Sequence, residues 1–175
     1  MNNVINEIEK VDLTGEDLVR ICRGKVKVVP YHELKKFNSI EDLLSEFGAV
    51  ILLYETKENF GHYTALHYDN TGRLEFFDSY GLAPDAELKY AEYNLAEGVP
   101  YLTNLLKKYN KPINYNKTRL QKFMKDVNTC GRWTSCRIRM NQYPLADFIK
   151  LMKSDLKHNG DWYVSALTYL YTLKD

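Results

Sequence analysis

Three features that often organise a chain of this size are missing. First, the 175 residues hold only three cysteines, Cys22, Cys130 and Cys136. They cannot all pair with one another, which excludes a disulfide framework and points to a reducing compartment. Second, no apolar run approaches the roughly 20 residues of a membrane-spanning helix. Met1–Lys10 is polar and mixed in charge, so neither a secretory leader nor a membrane partner is expected. Third, there is no internal repeat, low-complexity tract or Pro/Gly/Ser linker, so one domain over residues 1–175 and a monomer are expected. No two histidines share a helix face and the cysteines lie far from ligand spacing, so neither a metal nor a cofactor is expected. The net charge of +1 leans away from a nucleic-acid partner. What the chain does have is 45% hydrophobic residues, enough for a core that needs no staple. Its 14 tyrosines speak of packing and amphipathic surface more than of chemistry.

The pattern along the chain is α+β. Thr14-Gly15-Glu16-Asp17 has capping-box spacing and opens a helix through about Cys22. Val26–Val29 is a short strand stopped by Pro30. Ser39-Ile40-Glu41-Asp42 is a second capping box, leading an amphipathic helix with Ile40, Leu43, Leu44 and Phe47 on one face. Ala49–Tyr54 is apolar throughout and suits a central strand buried on both faces. His62–Tyr68 and Arg73–Asp78 read as two strands joined by an Asp69–Gly72 turn. Helices are predicted over Asp85–Tyr93, Val99–Tyr109, Cys130–Asn141, Pro144–Leu156 and Trp162–Leu173, the last capped by Asp161. Ile113–Tyr115 and Arg119–Gln121 are short candidate strands.

A thiol enzyme needs a nucleophilic cysteine, a base that takes its proton and a group that orients the base. Cys130 lies in Asn128-Thr129-Cys130-Gly131-Arg132-Trp133, a polar turn that enters a helix. A cysteine there faces unpaired N–H groups and the positive end of the helix dipole, which favours thiolate. Arg132 adds positive charge in sequence. The same N–H groups suit an oxyanion; a buried cysteine starting an ordinary helix fits the same local pattern. Of the four histidines, His62 follows Gly61 at a strand mouth, a good place for an oriented imidazole. His67 is an odd number of steps further and faces the other side. His32 and His158 stand in polar contexts and are expected to be solvated. Asp78 ends an apolar strand, where a carboxylate is costly without a partner. The hairpin pairs positions summing to about 141, which sets His62 opposite residues 78–79. Asp78 is therefore either the group that fixes the His62 tautomer or a cap for the Ser79–Gly81 turn. Gln121, upstream of Cys130, is either an amide donor to an oxyanion or a surface glutamine.

In this order, Gly61-His62-Tyr63, Phe77-Asp78-Ser79-Tyr80-Gly81, Gln121 and Thr129-Cys130-Gly131-Arg132-Trp133 resemble the adenovirus-type (adenain-like) viral maturation cysteine proteases. That family is related to the proteases that process ubiquitin-like proteins. The resemblance spans about residues 48–142. It implies a papain-like, adenain-like mixed β-sheet flanked by helices, with the nucleophile at the N-terminus of a central helix. By position it implies Cys130 as nucleophile, His62 as general base and acid, Asp78 as orienter and Gln121 as oxyanion donor. Two departures stand out. Tyr63 replaces the more usual tryptophan, and the Gln121–Cys130 spacing is a few residues longer than usual, which makes Asn128 the fallback donor. The implied activity is an endopeptidase that cuts capsid and other virion precursor proteins after small residues such as glycine. The implied setting is the virion and the host cytoplasm or viral factory, with a DNA or peptide activator compatible with the family.

The near-zero total conceals two opposed blocks. Lys107–Arg139 carries ten basic residues and one acid, a balance of +9, and brackets Cys130. Glu41–Glu97 carries twelve acids and three bases, a balance of −9. The equal totals favour pairing within the fold over a phosphate-backbone partner. Three other readings compete with the viral protease: a deconjugating protease for a ubiquitin-like protein, an acyltransferase with the same triad, and a binding module without activity.

Overall fold

A strand that is apolar at every position has to be covered on both faces, and Ala49–Tyr54 is an interior strand, paired on both sides and buried throughout. The computed structural model describes residues 2–91, 97–154 and 157–173. Its sheet has five strands in the order β1(Lys27–Pro30), β2(Ala49–Lys57), β3(Phe60–Tyr68), β4(Leu74–Phe77) and β5(Asn114–Tyr115). The outer pairs are parallel and the two central pairs antiparallel. The chain is thus α+β, a mixed sheet flanked by helices. The helices are α1(Asn2–Ile8), α2(Gly15–Ile21), α3(Ile40–Leu43), α4(Tyr101–Tyr109), α5(Cys130–Arg139), α6(Leu145–Lys153) and α7(Gly160–Leu173).

Alternation along β2 divides the core. Val50, Leu52 and Tyr54 join Leu66, Phe76, Ile40, Leu43, Leu102 and Leu105 under α3, α4 and the 3-10 turn Tyr31–Lys36. Ile51 and Leu53 point the other way, to Leu18, Cys22 and Tyr63 under α2. On that second side Ala65 and Phe77 meet Trp133, Cys136, Phe148 and Val164 under α5, α6 and α7. A buried ion cluster clamps α5 to β4. Arg137 Nε and Nη2 donate to the two oxygens of Glu75 at 2.6 and 2.9 Å, and His67 Nε2 lies 3.3 Å from Glu75. His67 is thus spent on the side away from His62, as its odd spacing predicts.

Several expected elements differ. The Thr14 capping box forms reciprocally with Asp17, but Ser39 makes only its half, to Asp42 N. The helix it opens is four residues long and Phe47 is exposed. Asp85–Tyr93 yields a 3-10 turn, Ala86–Lys89, with residues 92–93 outside the described ones. Asp85 does not act as a cap. Its carboxylate accepts from Tyr31 and Tyr54 hydroxyls and from Thr103 N, which holds the residue in the left-handed region. Arg119–Gln121 is not a strand, since the Leu120 and Gln121 N–H groups both turn to a single carbonyl, Ser79 O. The helix after Pro144 ends at Lys153; the predicted end at residues 155–156 lies outside the described residues. Asn159, not Asp161, caps α7 through Trp162 N. His32 is only partly exposed, and its Nδ1 meets the buried Glu55 at 2.6 Å. His158 stacks on Trp162.

Among the described residues, the ion pair that joins the acidic and basic blocks is Arg137–Glu75, so internal pairing accounts for little of the two charge balances. Also among the described residues, no helix is long and apolar enough to cross a membrane, and the three cysteines are unpaired.

Candidate active site

The site forms where β3 begins and β4 ends. The β3–β4 ladder pairs Ala65 with Phe77 and Leu66 with Phe76, so partner positions sum to 142 rather than 141. The difference is decisive, because directly paired residues share a face and a slip of one residue changes it. Continued past the last pair, an even sum puts His62 diagonal to Asp78 on one face; an odd sum would have separated them. Gly61 makes the approach feasible, since a Cβ there would lie 1.9 Å from Tyr54 O.

His62 Nε2 donates to Asp78 Oδ1 at 3.1 Å. His62 is 9% exposed and Asp78 fully buried. Cys130, the first residue of α5, lies near enough to the same ring to raise its pKa. Burial opposes charge on the imidazole, but the bond to Asp78 and the proximity of Cys130 outweigh it. His62 is therefore held well above the ordinary histidine range. The structure thus brings together His62, Asp78 and Cys130 from three separate segments. The same carboxylate that meets His62 also serves the turn, since Oδ1 accepts from Tyr80 N at 2.7 Å and the Asp78 carbonyl accepts from Gly81 N. Gly81 is fixed on two grounds: its φ is +74°, and a Cβ would meet Thr118 backbone at 2.7 Å.

Gln121 is buried beside this turn. Its Oε1 accepts from Ser79 Oγ at 2.7 Å and its Nε2 donates to Val127 O at 3.2 Å. The amide is fixed at both ends, with one Nε2 hydrogen left over. Asn128 is used differently: its Nδ2 donates to Lys10 O and its N–H to Glu9 O, which ties α1 to the Cys130 loop. The first turn of α5 has no side-chain cap and no acid, so its leading N–H groups keep their donor capacity at Cys130. Arg132 does not serve Cys130. It is buried and its guanidinium donates to Thr168 Oγ1, Ile8 O and Val11 O.

Three contributors were not evident as site residues in the sequence. Tyr80 stacks on His62 with ring centroids 4.7 Å apart, although it stands in the Asp-x-Tyr-Gly step. Asp161 accepts from Thr129 Oγ1, Trp133 Nε1 and Lys122 N at 2.5, 2.8 and 3.0 Å, and so anchors the loop before Cys130. Its signal, a helix-start aspartate, is the same as that of a cap. Glu87 is buried in the 86–89 turn with Oε1 3.9 Å from His62 Nε2. Three potential metal-ligand atoms of His62, Asp78 and Glu87 lie within 4.8 Å of one another. The imidazole nitrogen facing them already donates to Asp78, so the cluster reads as a set of proton partners.

A groove of about 1030 Å³ opens on Cys130, lined by Asp12, Thr14, Glu16, Val28, Tyr63 and Gly131 among others. The other thiols are poor candidates for chemistry. Burial pushes Cys22 up to about 11 and Cys136 higher still.

No family model matches the sequence. The chain is 38% identical over 146 residues to the uncharacterized protein V9 of Sputnik virophage, which covers 81% of this chain and 83% of that protein. Among solved structures, the central domain of the uncharacterized Lpg1148 protein from Legionella pneumophila superposes with a TM-score of 0.45 at 17% identity. That superposition covers 93% of this chain and 95% of the other, and it is too loose to carry an argument.

Proposed function

This chain belongs to the family of the Sputnik virophage protein V9, and from its site we propose that it is a viral cysteine endopeptidase with an adenain-like, papain-like fold, acting on virion precursor proteins. The observation that carries the reading is the convergence of three segments on one imidazole: Asp78 on Nε2 at 3.1 Å and the Cys130 thiol at the head of α5. With Nε2 given to Asp78, Nδ1 is the nitrogen that exchanges a proton with the thiol.

The reaction runs in two halves. Cys130 Sγ, its proton already resting on His62, attacks the scissile carbonyl carbon. The oxyanion is held by the first N–H groups of α5 and by the remaining Gln121 Nε2 hydrogen. His62 then protonates the leaving amine, the C–N bond breaks and a thioester remains. Water attacks the thioester, gives its proton to His62 and releases the carboxylic acid and the thiol. The groove beside Cys130 receives the polypeptide on the acyl side of the cut.

The test is cleavage of virion proteins by the purified chain. Wild type is expected to cut, and Cys130→Ala and His62→Ala are each expected to abolish cutting while the far-UV circular dichroism stays unchanged. Normal cleavage by either variant overturns the proposal. Labelling by Gly-Gly-terminated modifier probes without virion-protein cleavage, or a stable acetyl group on Cys130 after acetyl-CoA, would replace it with a deconjugating or an acyl-transfer activity.

A further inference from the structure

Behind the His62–Asp78 pair lies a second buried carboxyl. Glu87 is 6% exposed and Asp78 fully buried. Glu87 Oε1 and Asp78 Oδ2 are both shut away from solvent with no donor as carboxylate oxygens. Two ionised carboxylates side by side in a dry site repel each other and leave both of these atoms unsatisfied. One proton between them satisfies both, because a protonated carboxyl gains an O–H donor. We propose that Glu87 is a positioning residue for the catalytic pair: as a neutral acid it donates a hydrogen bond to Asp78 Oδ2, which locks Asp78 with its other oxygen on His62 Nε2.

This rests on the catalytic reading of Cys130, His62 and Asp78. The surroundings favour the neutral form. Burial and the Asp78 charge both raise the Glu87 pKa, against His62 and Lys89, which lower it. The groups that face Glu87 are His62 from β3, Asp78 and Tyr80 from the loop after β4, and Lys89 from its own turn. Loss of the proton would set a second negative charge beside Asp78 and His62 and free the Asp78 carboxylate to turn.

Two readouts on the intact chain test this. In protein labelled at glutamate carboxyl carbons, one glutamate is expected to remain protonated at pH 7 by carbon NMR, and its resonance is expected to vanish in Glu87→Gln. In Glu87→Gln, whose amide still donates to Asp78, iodoacetamide alkylation of Cys130 should stay within about twofold of wild type. In Glu87→Ala it should slow about tenfold, with loss of the His62 Nε2 proton signal. A fully ionised set of glutamates at pH 7, or Gln and Ala variants that both match wild type, overturns the proposal while leaving the triad intact. If His62→Ala leaves Cys130 alkylation unchanged, the catalytic reading fails and this inference falls with it. The glutamate count in Glu87→Gln decides the matter even if Glu87→Ala does not fold.

Discussion

Arg137→Met should be among the most damaging single changes outside the site. Arg137 and Glu75 are 0% and 1% exposed and are joined by two parallel hydrogen bonds. Removing one partner leaves a buried carboxylate facing only His67, which costs about 3–5 kcal/mol. The Arg137 guanidinium also lies 5.2 Å from the Phe148 ring centre, which adds about 0.5–1 kcal/mol. A loss near 4 kcal/mol is a large part of the roughly 5–15 kcal/mol typical of a domain. In urea unfolding the midpoint should fall at unchanged slope. A Glu75→Leu/Arg137→Met pair should recover most of the loss, because neither charge is then stranded. The pH dependence is also set. Burial raises the Glu75 pKa, but the bonds from His67 and Arg137 more than reverse this and hold it below the ordinary 4.5. Its contribution is therefore present above pH about 4.5 and lost as pH falls through the lower folded value. That acid-side loss should shrink in Arg137→Met. A cost under about 1 kcal/mol, or a double variant as unstable as the sum of the singles, would show that no stranded charge is at stake.

Asp161→Ala removes the acceptor from three donors, two of them side chains buried beside Cys130. It should cost about 3 kcal/mol in urea unfolding and slow Cys130 alkylation, whereas removing a mere surface cap would cost about 1 kcal/mol. Iodoacetamide near neutral pH should label Cys130 well ahead of Cys22 and Cys136, whose thiols burial holds in the protonated form. Peptide mass mapping checks the order, and equal labelling would contradict the placement of Cys130.

The sheet and the histidine–aspartate pair were readable because each has a local signature. An unbroken apolar run marks β2, a turn with Asp69 and Gly72 fixes the hairpin, and register follows from that turn to within one residue. The remaining residue of register was not readable. It depends on how the turn is built, with Asp69 Oδ1 taking Thr71 N and Arg73 N. The uses of polar residues were the weakest point. Asp161, Asp85 and Arg132 occupy positions that suggest a helix cap or a charge near Cys130. Tertiary partners more than 15 residues away claim them instead, and no local pattern announces that. Glu87 is the extreme case. It stands in a short turn with nothing to distinguish it from a solvated glutamate, and only the packing of that turn against β3 brings it to His62.

A charged His62 between Asp78 and Cys130 has a direct signature in nitrogen NMR of the labelled imidazole. His62 is predicted to stay protonated through neutral pH, well above the ordinary 6.5. Its pKa should fall in both Asp78→Asn and Cys130→Ala, because each removes a partner that raises it. A His62 that titrates near 6.5 in wild type, or that does not respond to Cys130→Ala, would contradict the account.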